Sequence, residues 1–328
     1  MKKILGMGSA LVDILIPLKD EIPLKELGLP KGSMQLVDKE RRDTVLNYFG
    51  GYEKSMAAGG SAANTVHGIG KLRGDAGFIG MTGEDDLGMS FEQDMMNAGV
   101  ALHLFRSLTP TGCAISLISP DSERTFATYL GAASELSIEH LPSDNGQKPG
   151  NIFPNYDILH IEGYLAFNQH LTETAIRLAK EAGMMVSIDL ASYNVVEANL
   201  DFLERITREF VDIVFANEEE AKAFTGKRPR EALDQIGQMA EYAIVKTGAK
   251  GSLVRHRQEA CTIGVIPVNP VDTTGAGDLY ASGFLYGLAN NMPLQRCGEL
   301  GALLAGNVIG VIGPKMQEET WARLRPLF

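Results

Sequence analysis

The sequence predicts an α/β protein: a doubly wound, mostly parallel sheet covered by helices, with a small β lid. Between residues 158 and 246, short apolar runs alternate with helical segments, which is typical of parallel strands joined by crossover helices. Two segments, 17–55 and 104–130, interrupt this alternation. Polar residues stand at or just after predicted strand ends, where such sheets bind ligands: Asp13, Asp189, Asn217 and Lys246.

The amino-terminal part of the chain predicts the first strand and the first lid segment. Residues 3–16 form an apolar run that we interpret as a β-strand with Asp13 near its end, and not as a signal peptide. Residues 17 to about 52 are rich in charge, proline and glycine, so we expect them to leave the core. Next come a predicted helix at 62–72, a strand at 76–80 and a helix at 90–98.

A hairpin is predicted in the second lid segment, because residues 112–118 and 125–130 are strand-like and flank the turn Pro120-Asp121-Ser122-Glu123. After it, predicted strands lie at 158–161, 185–189, 213–216 and 243–246, and predicted helices at 172–182, 200–209 and 218–224. The predicted core comprises residues 1–16, 56–103 and 131–328, and the predicted lid residues 17–55 and 104–130.

Composition limits the classes of partner. The 328 residues are 45% hydrophobic and 22% charged, as in soluble globular proteins, and the formal net charge of −11 argues against nucleic acid as a partner. No run approaches the roughly 18 apolar residues of a membrane span. Cys113, Cys261 and Cys297 are widely spaced, which favours a reducing compartment. We expect a cytoplasmic monomer or homodimer that binds small molecules.

The most informative segment is Asp272-Thr273-Thr274-Gly275-Ala276-Gly277-Asp278, a glycine-rich turn that leads into an apolar helix-like run. Its small residues let a ligand approach the backbone. The first N–H groups of a helix lack partners and favour negative charge, so the turn predicts a phosphate site. A carboxylate there repels phosphate but can take a proton from an attacking alcohol, which makes Asp278 the candidate catalytic base. The alternative is an ordinary loop capped by Asp278.

Two other classes of cofactor site are disfavoured. Gly6 and Gly8 could begin a dinucleotide-binding turn, but position 11 is Leu11 where the motif requires a third glycine. The six histidines are scattered without metal-ligand spacing, so none is assigned a role.

Segment 272–278 resembles the carboxy-terminal signature of the ribokinase-like family of carbohydrate and nucleoside kinases, the PfkB family. Gly59-Gly60-Ser61-Ala62-Ala63-Asn64 resembles the amino-terminal signature, a Gly-Gly turn with Asn four residues on, and Asn217-Glu218-Glu219-Glu220 resembles the Asn-x-x-Glu motif. The motifs occur in family order, and the resemblance extends from Ile4 to about Pro314. It implies a ribokinase-like fold and a phosphotransferase that uses ATP and Mg²⁺, in which the amides of 275–278 stabilise the growing charge.

The resemblance also implies roles at the substrate site. Asp13 would accept hydrogen bonds from two vicinal sugar hydroxyls, and the backbone at Gly59 and Gly60, with the Asn64 side chain, would bind the same sugar. The alternatives are a turn aspartate and a simple helix start. Arg124 would reach over the transferring phosphoryl group, or else be a solvated surface residue.

Further implied roles lie on the nucleotide side. Asn217 and Glu220 stand one helical turn apart, and Glu220 would hold Mg²⁺ mainly through water, unless these are solvent-facing acids. The segment Lys246-Thr247-Gly248-Ala249-Lys250-Gly251 resembles the loop that contacts the nucleotide, with a surface charge as the alternative for its lysine. Asn307 matches the position beside adenine, or is an interior polar residue. Asp272 is a candidate ligand for a potassium ion (K⁺).

Within the family, the long segment 18–49 resembles the adenosine kinase branch, because Met34, Leu36 and Val37 can present an apolar surface to a purine. Gln35 departs from that pattern. We therefore expect transfer of the γ-phosphoryl group of ATP to the 5′-hydroxyl of a ribose-containing substrate, adenosine first. A kinase for ribose, fructose or a related sugar is the alternative, and a catalytically silent nucleotide-binding regulator is disfavoured by the complete anion turn.

Overall fold

The computed structural model describes residues 1–121, 123–142 and 151–328. The predicted turn at 120–123 contains Ser122, which lies outside the described residues. The strands are β1 (Ile4–Met7), β2 (Leu11–Pro17), β3 (Met34–Leu36), β4 (Ser55–Gly59), β5 (Ala76–Gly83), β6 (Val100–Ser107), β7 (Thr111–Ile118), β8 (Arg124–Gly131), β9 (Ile158–Glu162), β10 (Met185–Asp189), β11 (Ile213–Asn217), β12 (Tyr242–Lys246), β13 (Ser252–His256) and β14 (Glu259–Ile263). The α-helices are α1 (Ile22–Glu26), α2 (Lys39–Tyr48), α3 (Ser61–Lys71), α4 (Asp86–Asn97), α5 (Gln169–Glu181), α6 (Tyr193–Ala198), α7 (Leu200–Glu209), α8 (Glu218–Thr225), α9 (Pro229–Ile236), α10 (Ala276–Ala289), α11 (Leu294–Val308) and α12 (Glu318–Leu324).

The described residues form a nine-stranded sheet in the order β14-β13-β12-β11-β10-β9-β1-β5-β6. All pairings from β12 to β6 are parallel, and β13 and β14 add an antiparallel edge. The chain winds from β1 to β6 on one side and from β9 to β12 on the other, so the winding direction reverses between β1 and β9. This is the predicted doubly wound sheet, and ligands bind such sheets at the carboxyl ends of the strands near the reversal.

A second sheet of five strands has the order β3-β8-β7-β2-β4. β2 begins four residues after β1 ends, and β7 begins four residues after β6 ends, so both enter the small sheet from the carboxyl ends of large-sheet strands. The small sheet therefore adjoins the edge where a ligand is expected, as a lid would.

The two sheets divide the chain at points that differ from the prediction. Residues 3–16, expected as one core strand, form β1 in the large sheet and β2 in the small one. A Cβ atom on Gly8 would lie 2.3 Å from Oε2 of Glu162, and the backbone N–H of Ser9 donates to Oε1 of that carboxylate at 2.8 Å. This contact fixes the chain where it leaves the large sheet. Residues 104–107, expected in the lid, belong to β6.

Helix α10 packs between α3 and α11 on one face of the large sheet. The helices approach closely: a Cβ on Gly68 of α3 would lie 2.4 Å from Ser282 Oγ, and a Cβ on Gly283 would lie 2.4 Å from the carbonyl oxygen of Leu300. These contacts fix the position of α10, whose first turn carries the candidate base.

The three cysteines are free, with Cys113 and Cys297 buried. Among the helices of the described residues, none combines the length and apolar character needed to cross a lipid bilayer.

Candidate active site

The predicted phosphate turn leads directly into α10. Gly275 precedes the helix in the left-handed conformation (φ +75°), and a Cβ there would lie 2.7 Å from Pro314 Cβ. The Ala276 N–H donates to the carbonyl oxygen of Thr273 at 3.2 Å, whereas the N–H groups that follow it in the first turn, which include that of Gly277, lack acceptors within the helix and favour an anion. A Cβ on Gly277 would lie 3.1 Å from Lys246 Nζ, so the ammonium group adds positive charge at this position. The arrangement suits a phosphate.

Asp278 lies in the same turn and faces the start of α3. Its Oδ1 accepts a hydrogen bond from Ser61 Oγ at 2.7 Å, and its Oδ2 accepts one from Asn64 Nδ2 at 3.0 Å. Burial raises the pKa of Asp278 to about 6, although both hydrogen bonds lower it. A carboxylate with this pKa is ionised at neutral pH and can still accept a proton effectively, as a general base requires.

Asp13 lies within β2 of the small sheet, and not at the end of a core strand as the sequence suggested. Its carboxylate passes over the neighbouring strand at Gly59, where a Cβ would lie 2.5 Å from Asp13 Cγ. Burial raises the pKa of Asp13 to about 7; Lys315 opposes this shift and the charge of Asp278 adds to it.

The start of α3 also contributes to the site. Gly60 adopts φ +96°, and a Cβ there would lie 2.1 Å from the carbonyl oxygen of Ser9, so no larger residue fits. Asn64 is 5% exposed and donates to Asp278, while its own Oδ1 is buried and has no partner within the described part of the chain. Burial of an unpaired acceptor is unfavourable, and a ligand hydroxyl would relieve it.

Arg124 is buried at the start of β8 and pairs with Asp272 through Nη2. Its Nη1 donates to Ser116 Oγ at 3.2 Å. Asp272 also accepts hydrogen bonds from the backbone N–H groups of Thr274 at 3.0 Å and Gly313 at 2.5 Å. Arg124, a residue of the small sheet, therefore holds the first residue of the phosphate turn through an ion pair. The carboxylate of Asp272 accepts hydrogen bonds from three donors in this structure.

A cavity of about 730 Å³ opens beside the phosphate turn. Its polar lining residues include Asp189, Asn217, Glu220, Lys246 and Asp278. Its apolar lining residues include Val265, Ile266, Val268, Ala302 and Ile309. This size and mixed lining suit a nucleotide, whose phosphates need polar partners and whose base needs apolar contacts.

Asn217 and Glu220 form the capping box that begins α8. Asn217 Oδ1 accepts from the backbone N–H groups of Glu219 and Glu220 at 2.9 and 2.8 Å, and Glu220 Oε2 accepts from the Asn217 N–H at 2.7 Å. Glu220 is 3% exposed, and its pKa is raised, first by burial and then by the charge of Asp189. The motif thus caps the amino-terminal end of α8, and both of its residues line the cavity.

Magnesium fits this site through water. In the described part of the chain, no three His, Cys, Asp or Glu side chains converge as a metal site. The Glu220 carboxylate accepts from Asn217 at both oxygens but still has lone pairs for a water molecule. Mg²⁺ keeps several waters and prefers phosphate oxygens. We therefore expect the phosphates of the nucleotide, together with water molecules, to be its main ligands.

Lys246, at the end of β12, donates to Asp189 Oδ2 at 2.7 Å. Burial alone would lower the pKa of Lys246, but the carboxylates of Asp189 and Glu220 outweigh it and raise the pKa. Asp189 was predicted only as a strand-end residue, yet it orients the ammonium group over the phosphate turn. A carboxylate at the end of a parallel strand was the available signal.

The loop after β12 contains Thr247, Gly248 and Gly251. Gly248 and Gly251 line the cavity, and a Cβ on Gly251 would lie 1.9 Å from the carbonyl oxygen of Ile263. Thr247 turns inward, where its Oγ1 donates to the carbonyl oxygen of Gly251 at 2.9 Å. The loop backbone therefore faces the cavity, and the threonine side chain holds the loop closed.

Asn307 lies on α11, away from the cavity wall. Its Nδ2 donates to the carbonyl oxygen of Leu303, and its Oδ1 accepts from Arg323, both at 2.8 Å. Its neighbours Gly306 and Ile309 are among the described residues that line the cavity, and Asn307 is not. The helix is thus beside the predicted adenine slot, with its small and apolar residues turned toward it.

Sequence reasoning missed two charged residues: Glu162, which is buried, and Lys315, which is half-buried with a buried ammonium group. Glu162, at the end of β9, accepts from the backbone N–H groups of Ser9 at 2.8 Å and Ala62 at 3.1 Å, and so joins the sheet hinge to the start of α3. An acid ending an apolar strand could have indicated it. Lys315 acts on Asp13 from a carboxy-terminal loop, where an isolated lysine is indistinguishable from a surface residue in sequence.

The chain is similar to known carbohydrate and nucleoside kinases. The family model for pfkB family carbohydrate kinase matches residues 37–321. The structure of a probable sugar kinase from Rhizobium etli is 32% identical with a TM-score of 0.88, over 99% of this chain and 98% of that one. The structure of an adenosine kinase from Sinorhizobium meliloti is also 32% identical, with a TM-score of 0.87 over 100% and 99%. A 5-dehydro-2-deoxygluconokinase from Geobacillus thermodenitrificans is 28% identical over 76% of this chain and 78% of that protein.

The structural matches confirm the ribokinase-like fold, and the family match spans most of the large sheet together with the phosphate turn. Kinases of this family use ATP. The chain therefore belongs to the pfkB family of carbohydrate kinases and is a phosphotransferase that acts on a hydroxyl group of a sugar or nucleoside.

Proposed function

We propose that the protein transfers the γ-phosphoryl group of ATP to the 5′-hydroxyl of a ribose-containing substrate, with adenosine as the preferred acceptor. The observation that carries the proposal is the position of Asp278, a half-buried carboxylate in the first turn of α10, within the glycine-rich phosphate turn and hydrogen-bonded to Asn64. A protein that only bound nucleotide would gain nothing from a carboxylate there, because it repels phosphate.

In this mechanism ATP occupies the cavity, with its base against the apolar lining residues and its phosphates near Lys246. Asp13 and Asn64 orient the sugar. Asp278 accepts the hydroxyl proton as the oxygen–phosphorus bond forms and ADP leaves, and the turn amides stabilise the growing charge. Mg²⁺ bound to the phosphates would neutralise part of their charge, with Glu220 holding one of its waters. The lid would exclude water from the phosphoryl group.

A potassium ion at Asp272 is a weaker part of the proposal. That carboxylate is already held by Arg124 and two backbone N–H groups, so an added cation would compete with the guanidinium group. We expect at most a weak rise in rate when potassium replaces a bulky organic cation at equal ionic strength. The free cysteines and the ATP requirement support a cytoplasmic location.

Adenosine is preferred on the evidence of the first lid segment. Met34 and Leu36 of β3 are 50% and 63% exposed, which leaves apolar surface on the lid for a flat purine. An adenosine kinase is 32% identical. A sugar kinase is the second candidate, because an equally similar structure is a probable sugar kinase and Gln35 offers a polar contact on the same strand.

The test is ADP production with ATP, Mg²⁺ and a panel of adenosine, 2′-deoxyadenosine, ribose, fructose and 5-dehydro-2-deoxygluconate. We expect kcat/KM for adenosine to exceed that for ribose or fructose by at least about 100-fold, or about 2.7 kcal/mol. 2′-Deoxyadenosine should be poor, since Asp13 loses a hydroxyl partner. The Asp278→Asn protein, prepared identically, controls for contaminating kinases. Equal kcat/KM values for adenosine and for ribose or fructose would reject the adenosine kinase and retain the sugar kinase as the proposed function. No ADP production with any acceptor would favour a nucleotide-binding regulator.

A further inference from the structure

The segment from Gly313 to Lys315 passes between the phosphate turn and the small sheet. A Cβ on Gly313 would lie 2.8 Å from Leu15 Cδ1 of β2, and Pro314 packs against Gly275 at the start of α10. The side chain of Lys315 therefore begins where the two halves of the substrate site meet.

The ammonium group of Lys315 is buried and makes no hydrogen bond to any residue that the structure describes. Burial lowers the pKa of Lys315 to about 8, and the carboxylates whose charges oppose this are, in order of effect, Asp94, Asp13 and Asp278. Two of these three are the candidate sugar ligand and the candidate base. A buried ammonium with three unused donors is unfavourable unless a ligand completes it.

Asp94 does not complete it. Its Oδ2 accepts from the backbone N–H of Ala58 at 2.8 Å, and its Oδ1 lies 3.7 Å from His67 Nε2. No hydrogen bond among the described residues joins Asp94 to Lys315. Asp94 thus supplies opposite charge, and the lysine donors remain available.

A second orphan atom belongs to the same site. Asn64 Oδ1 is buried and accepts from no donor in residues 1–121, 123–142 and 151–328, while Asn64 Nδ2 is hydrogen-bonded to Asp278. The site therefore has an unpaired donor on Lys315 and an unpaired acceptor on Asn64, in addition to the carboxylate of Asp13. A sugar hydroxyl both donates and accepts, so it can satisfy such a set where an apolar ligand or a simple anion cannot.

We propose that Lys315 is a substrate-binding residue whose ammonium group donates a hydrogen bond to a hydroxyl oxygen of the sugar. The inference rests on the proposed function for the class of substrate, a ribose-containing compound or related sugar. It does not depend on which nucleobase, if any, the sugar carries. A hydroxyl that donates to Asp13 can accept from Lys315 at the same time. The carboxylate would then contact the hydroxyl hydrogen and the lysine would contact the hydroxyl oxygen.

The first measurement is adenosine binding without ATP, by isothermal titration calorimetry. Lys315→Met should weaken binding about 10- to 100-fold, the usual effect of losing a charged hydrogen bond, with less than about 2-fold change for a non-hydrolysable ATP analogue. Lys315→Gln retains an N–H donor and should recover part of the loss. Lys71→Met is the matched control, because Lys71 also lies near Lys315 but its ammonium pairs with Glu318 at 3.1 Å, and binding should be unchanged.

The second measurement locates the partner hydroxyl. 2′-, 3′- and 5′-deoxyadenosine each lack one hydroxyl, and the Lys315→Met penalty should vanish for the one whose missing hydroxyl was the partner. An equal penalty with all three analogues, or none with adenosine, would overturn the proposal. So would a lower melting temperature for Lys315→Met and Lys315→Gln with unchanged affinity, which would make the lysine purely structural.

Failure of the proposed function is recognised separately. If the wild-type protein neither binds nor phosphorylates adenosine, the nucleoside proposal fails, and the same variants are titrated with whichever of ribose, fructose and 5-dehydro-2-deoxygluconate the wild type binds. Loss of that affinity in Lys315→Met, restored in part by Lys315→Gln, supports the lysine contact. Unchanged affinity rejects it.

Discussion

Asp278 should set the acid limb of the pH–rate profile. Because burial raises its pKa to about 6 and activity needs the ionised form, kcat at saturating substrate should fall as the pH drops through 6. Ser61→Ala removes a hydrogen bond that lowers this pKa, so the limb should move to higher pH. A limb that stays in place in Ser61→Ala would show that another group controls it.

Asp278→Asn keeps the shape of the side chain and removes the base. We expect kcat to fall by roughly 10²–10⁴-fold, with ATP affinity nearly unchanged because the turn amides remain. Steady-state kinetics and nucleotide titration measure the two effects. Near-normal turnover would remove Asp278 from the mechanism.

Asp13 illustrates a conflict between stability and function. Its ordinary pKa is 3.8, and burial raises the pKa to about 7, so ionisation of Asp13 opposes folding. The resulting loss of folding free energy is complete above pH 7 and absent below about pH 4. Asp13→Asn should therefore raise the melting temperature at pH 8 by about 2 °C or more, a gain that shrinks toward pH 4, while substrate KM rises strongly. Calorimetry at several pH values measures this.

Asp94 provides the opposite control. Burial raises its pKa, but His67, the charge of Lys315 and the backbone N–H of Ala58 together lower the pKa below its usual value, so its ionisation favours folding above the usual pKa. Asp94→Asn should lower the melting temperature at pH 8. Stabilisation in both variants would mean that removing any buried charge helps, and that Asp13 is not special.

At the scale of elements, the start of α10 depends on Gly275. An alanine there would take a left-handed conformation and approach Pro314 Cβ to 2.7 Å, so Gly275→Ala should displace the turn and lower kcat/KM for ATP by at least about tenfold. Gly183→Ala is the matched control: Gly183 has φ +81° with open space around its Cβ position, so it carries the backbone cost alone. Equal kinetics in the two variants would contradict a special role for the turn.

Elements defined by local pattern were predictable. The predicted strand at 185–189 has the same bounds as β10, because it is a short apolar run that follows Gly183. The predicted helix at 218–224 differs from α8 by one residue, because Asn217 and Glu220 cap its start and Gly226 follows its end. The division of residues 3–16 between two sheets was not predictable. It depends on the contact of Gly8 with Glu162, a residue more than 150 positions away.

The candidate site divides in the same way. The phosphate turn is one continuous segment, residues 272–278, so its function could be predicted from the local sequence. The pairing of Arg124 with Asp272 and the burial of Lys315 depend on the lid meeting the core, and neither leaves a local pattern.

At the scale of the molecule, the candidate substrate carboxylate and the candidate base belong to different sheets: Asp13 to the small sheet and Asp278 to a helix of the large one. Adenosine at about 100 times its Kd should stabilise the fold by about 2.7 kcal/mol and slow hydrogen exchange in both β2 and the start of α10. Asp13→Ala should abolish the protection of β2. Protection confined to α10 in the wild type would show that the sugar does not bridge the sheets.

The strand order has a further consequence for the family. The small sheet is made from two continuous pieces, β2 to β4 and β7 to β8, each inserted after a large-sheet strand. Acceptor preference can thus change in part through these two insertions, although Asn64 and Lys315, the proposed sugar contacts outside the small sheet, stay in place. A chimera that carries both pieces from a sugar kinase relative should keep ATP affinity and shift its preference toward the acceptor of that relative.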